Sequence, residues 1–345
     1  MSKIRVLIAD DSDFVQLLMR NILSNNEEIE VVGTASNGWE AYESTKALKP
    51  DVVLMDVMMP EHDGLDGIRY IMNDVPTPIV VLSTIGNSNI NPIIESLKLG
   101  AFDYLNKPQG TGGLRSMDKD IFKVIKQAAT LDAAKLRNYS QERNKSAHQF
   151  ATNRLFDIVV IGSSTGGPHA LDVILGKLPS NMEVPIMIVQ HMPNHFVNSF
   201  ANRLDSIMPQ KVEIAEEGTL IKEGHIYLAQ SKSNIMLERD ETSNHVRVKK
   251  TARKFKDYNN PSINSVMISA AEAYGSRVIG VVLTGMGRDG AEGVKAIHAN
   301  GGYTIAQDKE SCVVYGMPKE AVETGAIKRV VPIDEMAEFI ISCLS

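Results

Sequence analysis

A short segment of small residues carries the first candidate for chemistry in this 345-residue chain. Gly162-Ser163-Ser164-Thr165-Gly166 follows the β-branched run Asp157–Ile161 and precedes a helix-forming segment over 169–175. A strand, a tight Gly-x-Ser-x-Gly turn and a helix form a nucleophile elbow, in which the serine hydroxyl is exposed above the sheet edge. The same pattern also suits a structural turn without chemistry, or a turn that binds phosphate through backbone N–H groups. This segment alone leaves the three interpretations of Ser164 open.

Two further strand ends carry the partners that a serine nucleophile needs. The apolar run that ends at Val189 is followed by His191, and the run that ends at Leu283 is followed by a glycine-rich loop that contains Asp289. Nucleophilic catalysis uses a hydroxyl that attacks, an imidazole that takes its proton and a carboxylate that orients the imidazole. We therefore predict that Ser164, His191 and Asp289 meet at one sheet edge as a catalytic triad.

The predicted triad has a rival base and an unusual chain order. His195, four residues beyond His191, is the rival. Taken singly, His191 is more often a loop histidine, and Asp289 is more often a turn residue before Gly290. The order Ser-His-Asp also differs from the Ser-Asp-His order of α/β-hydrolases. Because triads are defined by geometry and role, this order argues against an ordinary α/β-hydrolase but not against catalysis.

A second set of polar residues lies at strand ends in the first third of the chain. Five short apolar strands alternate there with helical segments, which predicts a parallel sheet with helices on both faces. The polar residues at the strand ends are Asp10, Asp11, Asp56, Ser83 and Lys107. Neighbouring carboxylates repel one another unless a cation lies among them, and such oxygen ligands suit Mg²⁺ beside a phosphoryl group. A lysine and a hydroxyl supply further contacts to phosphoryl oxygens. Helix capping explains any one aspartate equally well, but not the whole set.

Composition and charge limit the classes of function. The formal net charge of -6 shows no basic excess, so we do not expect a general nucleic-acid binder. Cys312 and Cys343 have neither metal-ligand spacing nor the pattern of a disulfide framework, which fits a reducing cytoplasm. We find no signal-peptide core and no apolar run long enough to span a bilayer. A cytoplasmic protein without membrane insertion is therefore expected.

Strand-helix alternation divides the chain into two α/β domains, each long enough for its own core. We predict a first domain over 1–136, a polar and basic-leaning linker over 137–153, and a second domain over 154–345. The second domain is expected to contain a doubly wound, mainly parallel sheet. A local hairpin is expected in the segment that holds Ile226–Ala229 and His245–Lys249.

The first domain contains a series of ordered motifs, namely Asp10-Asp11-Ser12, Leu54–Pro60, Ser83 and Asn106-Lys107-Pro108. With them it resembles a response-regulator receiver domain of two-component signalling over its full length. The resemblance implies a flavodoxin-like (βα)5 fold in which Asp56 accepts a phosphoryl group from a histidine kinase. It also implies that Asp10 and Asp11 help Asp56 to hold Mg²⁺ and that Lys107 bridges to the phosphoryl group. Ser83 and Tyr104 would then form the switch pair.

The second domain contains four long motifs, namely Ile161–Gly167, Val189–Pro193, Leu283–Gly290 and Ala306–Pro318. They resemble the chemotaxis protein-glutamate methylesterase family, in which a receiver domain also precedes the esterase domain. The resemblance implies that Ser164 is the nucleophile, His191 the base and Asp289 the orienting acid. It further implies that the backbone N–H of Met286 is an oxyanion donor and that Thr165 helps to set the imidazole.

This second resemblance implies a hydrolase that removes methyl esters from glutamates of methyl-accepting chemotaxis receptors and deamidates specific receptor glutamines. It implies no cofactor for the esterase reaction, and activation by phosphorylation of Asp56. Two segments depart from the family pattern, Gln230–Asn234 and Pro261–Asn264. Both are expected to lie outside the triad and to bear on the shape of the substrate groove.

Two other classes of function remain as alternatives. A non-catalytic signalling adaptor would bind a receptor or a nucleotide through the Gly162–Gly167 turn. A DNA-binding output domain would need a helix-turn-helix and a basic face, and the sequence shows neither.

Overall fold

The computed structural model describes residues 3–83, 91–107, 121–122, 124–130, 155–252 and 260–344. The chain forms two compact units, Met1–Gln141 and Glu142–Ser345. The predicted linker over 137–153 lies outside the described residues, so the predicted domain bounds remain predictions. Among the helices that the structure describes, none combines the length and the hydropathy that a transmembrane span requires.

The first unit contains a five-stranded parallel sheet with the strand order β2-β1-β3-β4-β5. Its strands are β1 (Ile4–Ala9), β2 (Ile29–Ala35), β3 (Val52–Asp56), β4 (Ile79–Ser83) and β5 (Asp103–Asn106). Its helices are α1 (Asp13–Ser24), α2 (Gly38–Leu48), α3 (Gly64–Asp74) and α4 (Asn91–Lys98), and residues 121–122 and 124–128 are also helical. The five predicted strands and the helices between them are therefore confirmed.

Side-chain caps fix where the helices of this unit begin. The side chains of Ser12, Asn37 and Asp63 each accept a hydrogen bond from a backbone N–H in the first turn of α1, α2 and α3. The direction of the chain across the sheet reverses between β1 and β3, and parallel sheets bind ligands at such switch points. The loop after β1 and the end of β3 therefore face one crevice.

The second unit contains a seven-stranded sheet with the order β14-β13-β12-β6-β7-β9-β8, and every strand pair in it is parallel. Its strands are β6 (Ile158–Ser163), β7 (Ile186–Gln190), β8 (Lys211–Ala215), β9 (His225–Ala229), β12 (Val278–Val282), β13 (Tyr303–Gln307) and β14 (Arg329–Val331). The helices are α5 (Gly167–Gly176), α6 (Asn194–Ile207), α7 (Ile263–Tyr274), α8 (Ala291–Ala299), α9 (Met317–Glu323) and α10 (Ile333–Leu344). β6 lies at the centre of the sheet, and the switch point lies between β6 and β12.

The predicted hairpin is present, but with a different partner strand. β10 (Ile235–Arg239) and β11 (Val246–Lys250) form a separate antiparallel pair. The segment Ile226–Ala229 instead belongs to β9, where its residues are buried on both faces between β7 and β8. A continuous buried run suits the interior of a parallel sheet, whereas β10 is buried only at alternate residues. The sequence analysis did not identify β10.

Candidate functional sites

Ser164 directly follows β6 in a turn that its neighbours force to be sharp. Its backbone N–H donates to the carbonyl of Thr284 at 3.1 Å, and its carbonyl accepts from the N–H of Gly167 at 2.7 Å. Gly166 has φ 75°, which lies in the left-handed region that favours glycine. A Cβ atom at Gly166 would also lie 2.5 Å from the Cβ of Val313. The Gly-x-Ser-x-Gly turn therefore has the local geometry of an elbow.

His191 and Asp289 are in direct contact. His191 Nε2 lies 2.9 Å from Asp289 Oδ2. The side chain of Asp289 is 1% exposed and that of His191 is 14% exposed. The imidazole is therefore partly open to solvent while it contacts a buried carboxylate. Because Nε2 contacts the carboxylate, Nδ1 is the ring nitrogen left for proton exchange. Two of the three predicted triad residues are thus paired in the way that orientation of a base requires.

Ser164 and His191 follow the neighbouring strands β6 and β7. The backbone N–H of His191 donates to the carbonyl of Ser163 at 3.0 Å, which continues the strand pairing up to the two side chains. Within the described residues, no hydrogen bond joins Ser164 Oγ to the imidazole. Such contacts often tighten only in the complex with substrate. His195 is the second residue of α6 and its side chain lies outside the described part of the chain, so the contact with Asp289 favours His191.

The carboxylate of Asp289 is held by the N-terminus of α7. It accepts hydrogen bonds from Ser262 Oγ at 3.2 Å, from the N–H of Ile263 at 2.8 Å and from the N–H of Asn264 at 2.9 Å. The N-terminus of a helix carries unpaired N–H groups and a partial positive charge. Burial by itself would raise the pKa of Asp289. The hydrogen bond and charge of His191, together with these N–H groups, hold that pKa below its usual value.

Met286 and Thr165 lie beside Ser164. A Cβ atom at Gly285 would lie 2.6 Å from the Cβ of Ser164, so only glycine allows the loop before Met286 to approach so closely. In the part of the chain that the structure describes, the N–H of Met286 has no hydrogen-bond acceptor. The carbonyl of Thr165 accepts from Thr284 Oγ1 at 3.0 Å. No bond from the Thr165 hydroxyl to His191 occurs among the described residues.

The predicted acidic site is assembled in the first unit. One carboxylate oxygen from each of Asp10, Asp11 and Asp56 lies within 4.8 Å of the others. Asp10 and Asp56 are buried, whereas Asp11 is exposed. Lys107 Nζ lies 2.6 Å from Asp10 Oδ2 and 2.7 Å from Asp56 Oδ2. Three converging hard oxygen ligands beside an open edge fit a Mg²⁺ ion that keeps some of its waters.

The electrostatics of this site oppose the ionisation of Asp56. Burial, together with the charge of Asp10, raises the pKa of Asp56 above its usual value, although Lys107 and the N–H of Met58 act in the other direction. Burial would lower the pKa of Lys107, but the two carboxylates that it contacts raise that pKa. Because the pKa of Asp56 stays raised in spite of the contact with Lys107, a cation at this site would further stabilise its charge.

The predicted switch residues lie on neighbouring strands. Ser83 ends β4, and its carbonyl accepts from the backbone N–H of Lys107 at 2.5 Å. Tyr104 lies in β5 opposite Val81. Burial, followed by the charge of Asp103, raises the pKa of the Tyr104 hydroxyl well above its usual value. The phenol is therefore neutral, and the switching role of the two residues remains a prediction.

Comparison with known proteins follows the same division of the chain. The family described as response regulator receiver domain matches residues 6–117. The family described as CheB methylesterase matches residues 159–340. The chain belongs to the CheB methylesterase family.

Relatives match the whole chain. A protein of Archaeoglobus fulgidus named protein-glutamate methylesterase/protein-glutamine glutaminase is 40% identical, over 99% of this chain and 98% of its own length. A Carboxydothermus hydrogenoformans protein of the same name, number 2, is 41% identical over 99% of each chain. The crystal structure of the Thermotoga maritima CheB methylesterase catalytic domain is 41% identical and has a TM-score of 0.53. The match covers 55% of the present chain and 99% of the chain in that crystal structure.

These matches confirm both resemblances and the α/β fold class, and the predicted enzyme class agrees with the names of the relatives. The structure of this CheB-family chain also shows the surroundings of Asn264, which belongs to one of the two departures from the family pattern. Asn264 is 2% exposed and directly supports the loop of Asp289. Its Oδ1 accepts from the N–H of Gly290 at 3.0 Å and from that of Gly293 at 2.8 Å.

The other departure from the family pattern, Gln230–Asn234, also contributes to this support. Asn234 Oδ1 accepts from the backbone N–H of Ser262 at 2.9 Å, so the loop after β9 braces the start of α7. Sequence reasoning missed both contacts. The available signal was Ser262 itself, a typical N-cap residue directly before a helix-forming run.

Proposed function

We propose that this CheB-family protein is a phosphorylation-activated esterase that removes methyl groups from glutamate methyl esters of methyl-accepting chemotaxis receptors. The contact between His191 and the buried Asp289, at the sheet edge where Ser164 follows β6, carries the proposal. The names of the relatives support the substrate class. An adaptor without catalysis would have no need of an oriented imidazole beside a partly exposed elbow serine.

The proposed reaction has two steps. His191 takes the proton of Ser164 at Nδ1, and Ser164 Oγ attacks the γ-carbonyl of the methylated glutamate. The backbone N–H of Met286 donates to the oxyanion, a contact whose loss typically costs ~3 kcal/mol in the barrier. The imidazolium returns its proton to the departing methoxide, and methanol leaves. Water, deprotonated by His191, then hydrolyses the acyl ester and frees Ser164.

Asp289 determines which nitrogen of His191 acts as the base. Its carboxylate lies 2.9 Å from Nε2 and would accept a hydrogen bond from the proton on that nitrogen. It would also stabilise the imidazolium that forms during both steps. The low pKa of Asp289 keeps it ionised throughout. A glutamine side chain can react by the same route with ammonia as the leaving group, which would give the glutaminase activity named for the relatives.

The receiver unit supplies the control in this proposal. A chemotaxis histidine kinase would phosphorylate Asp56, with Asp10, Asp11 and Asp56 as the residues that hold Mg²⁺. When bound, the ion neutralises charge on the carboxylates and on the phosphoryl group. Lys107 is placed to contact a phosphoryl oxygen, and Ser83 and Tyr104 would change position in response. This local charge change would shift a two-state equilibrium toward the active esterase.

Methanol release from methylated receptor membranes tests the proposal, with and without a small phosphodonor. We expect Ser164→Ala to abolish methanol release, a loss on the order of 10⁴-fold or more, while Asp56 still takes up phosphate. Asp56→Asn should keep the basal rate and lose the stimulation. Methanol release by Ser164→Ala at the wild-type rate would refute the nucleophile, and undiminished stimulation of Asp56→Asn would refute the switch.

A further inference from the structure

Gln190, the last residue of β7, holds the backbones of both reacting residues with one side chain. Its Nε2 donates to the carbonyl of Ser164 at 3.0 Å and to the carbonyl of His191 at 2.8 Å. Its Oε1 accepts from Ser163 Oγ at 2.6 Å. Gln190 is 2% exposed, so these three bonds form away from water. The amide therefore links the nucleophile turn and the base loop directly.

The space beneath the elbow is shaped around this amide. A Cβ atom at Gly167 would lie 2.0 Å from Gln190 Oε1 and 2.8 Å from the Cβ of Ser163. Gly167 has no positive φ, so the conformation of its backbone does not explain the glycine. The close approach of the Gln190 side chain does. The turn that carries Ser164 thus leaves room for an amide whose two N–H groups each bind one catalytic segment.

Burial of an amide carries a cost that an apolar side chain of the same size avoids. A buried amide is tolerated only when its polar atoms are paired, and an unpaired one costs about 1–3 kcal/mol. All three hydrogen bonds that the Gln190 amide makes among the described residues end on Ser163, Ser164 or His191. A side chain that only filled the space would not need these hydrogen bonds. They are needed if Gln190 fixes the distance between the backbones of Ser164 and His191.

We propose that Gln190 is a positioning residue that sets the separation between Ser164 Oγ and the imidazole of His191. It touches neither substrate nor the reacting atoms, and it acts through the two carbonyls that it binds. The inference rests on the proposed roles of Ser164 and His191. Its loss would leave the nucleophile and the base in place but misaligned, and misplacement by ~1 Å can cost a hundredfold in rate.

The test uses the full-length protein and the variant Gln190→Met, which keeps the length of the side chain and removes its donors and acceptor. The rate of methanol release is divided by the amount of Ser164 that a serine-directed phosphonate labels when the labelling is run to completion. Unfolded molecules then do not count, whereas folded molecules that label slowly do. We expect kcat per labelled serine to fall about tenfold to a hundredfold, with KM unchanged. A merely structural role would lower the labelled fraction and leave kcat per labelled serine as it was.

Gln210→Met is the matched control. Gln210 is buried to a similar degree in the same unit, and its Nε2 donates to the carbonyl of Pro179 at 2.7 Å, outside the site. We expect this variant to keep the wild-type kcat per labelled serine. Equal losses in Gln190→Met and Gln210→Met, or a wild-type value in Gln190→Met, would overturn the positioning role.

A milder variant covers the case in which Gln190→Met does not fold. Ser163→Ala removes the bond that orients the amide and is expected to lower kcat severalfold with KM unchanged. A wild-type kcat per labelled serine in Ser163→Ala would then overturn the inference. If the phosphonate fails to label Ser164 in the wild-type protein, the proposed nucleophile is wrong and the positioning role is lost with it. If the phosphonate labels the wild-type protein and both variants keep the wild-type kcat per labelled serine, only the positioning role is wrong.

Discussion

Asp56 and Asp289 are both buried carboxylates at the carboxyl edge of a parallel sheet, and their surroundings shift their pKa values in opposite directions. Within the described part of the chain, Asp56 accepts one backbone N–H, from Met58 at 3.2 Å, and it shares Lys107 with the neighbouring carboxylate of Asp10. Burial and that second carboxylate raise its pKa. Asp289 is more deeply buried, yet the imidazole and the helix N-terminus lower its pKa.

Under the proposed function, this difference would let one type of sheet edge serve two kinds of chemistry. An acceptor of a phosphoryl group gains from a carboxylate whose charge is poorly satisfied, because a cation and a new bond then improve its surroundings. A carboxylate that orients a base must stay charged and still, so it is surrounded by fixed donors. The groups that face each aspartate distinguish the two sites, rather than the depth of burial: at Asp289 the imidazole of His191 acts most strongly, followed by the backbone N–H groups of α7.

The largest effect is expected when the negative charge of Asp289, which the N-terminus of α7 holds, is removed. We expect Asp289→Asn to lower kcat for methanol release on the order of 10⁴-fold, because an asparagine amide favours the wrong tautomer of His191. The main-chain donors of α7 would remain in place, so the fold of the unit should be kept. Steady-state kinetics on methylated receptor membranes gives the measurement.

The matched change in the other site is Asp56→Asn, which should leave the basal esterase rate within about twofold. Phosphate uptake by Asp289→Asn from a small phosphodonor should likewise equal that of the wild type. A loss of basal activity in Asp56→Asn as large as that in Asp289→Asn would mean that the two carboxylates do not have separate roles.

A smaller effect is expected when the hydrogen bonds that support the loop of Asp289 are weakened. Asn264→Ala would leave the buried N–H of Gly293 without its acceptor, at a cost of about 1–2 kcal/mol, and would leave the N–H of Gly290 with Asp289 Oδ1 alone. Because Asp289 directly precedes Gly290, we expect kcat to fall about tenfold. If Asn264→Ala changed KM and left kcat untouched, Asn264 would belong to substrate binding after all.

The sequence was sufficient to predict the parts that depend on local order. Buried strand runs followed by polar residues predicted where Ser164, His191, Asp56 and Asp289 would lie, because parallel strands bring their carboxyl ends to one edge. β10 was missed because Ile235–Arg239 consists largely of residues that favour helices as readily as strands. Its strand conformation depends on pairing with β11 and on burial of alternate residues.

The supporting contacts were beyond prediction from local pattern. Gln190 and Asn264 act through hydrogen bonds to backbone groups, and any residue can supply a backbone partner. Ser262 binds Asp289 across 27 positions of sequence, a separation that only the packing of α7 against β6 and β12 closes. An amide side chain has no spacing rule that reveals its partner, so such roles emerge only from the folded chain.

The smallest expected effect concerns stability, and it sharpens the opposition between the two aspartates. The pKa of Asp56 is raised by folding, so its ionised form destabilises the receiver unit above that pKa, and the cost disappears as pH falls through it. Asp289 has a lowered pKa, so its stabilisation is present above the unfolded-state value and is lost as pH falls through the folded-state value. Asp56→Asn should therefore stabilise the receiver unit at neutral pH. Hydrogen–deuterium exchange of β1 and β3 in the full-length protein measures this, in chelator and in Mg²⁺. The gain should shrink in Mg²⁺, since a cation relieves the same repulsion in the wild type, and faster exchange of Asp56→Asn in chelator would contradict the raised pKa.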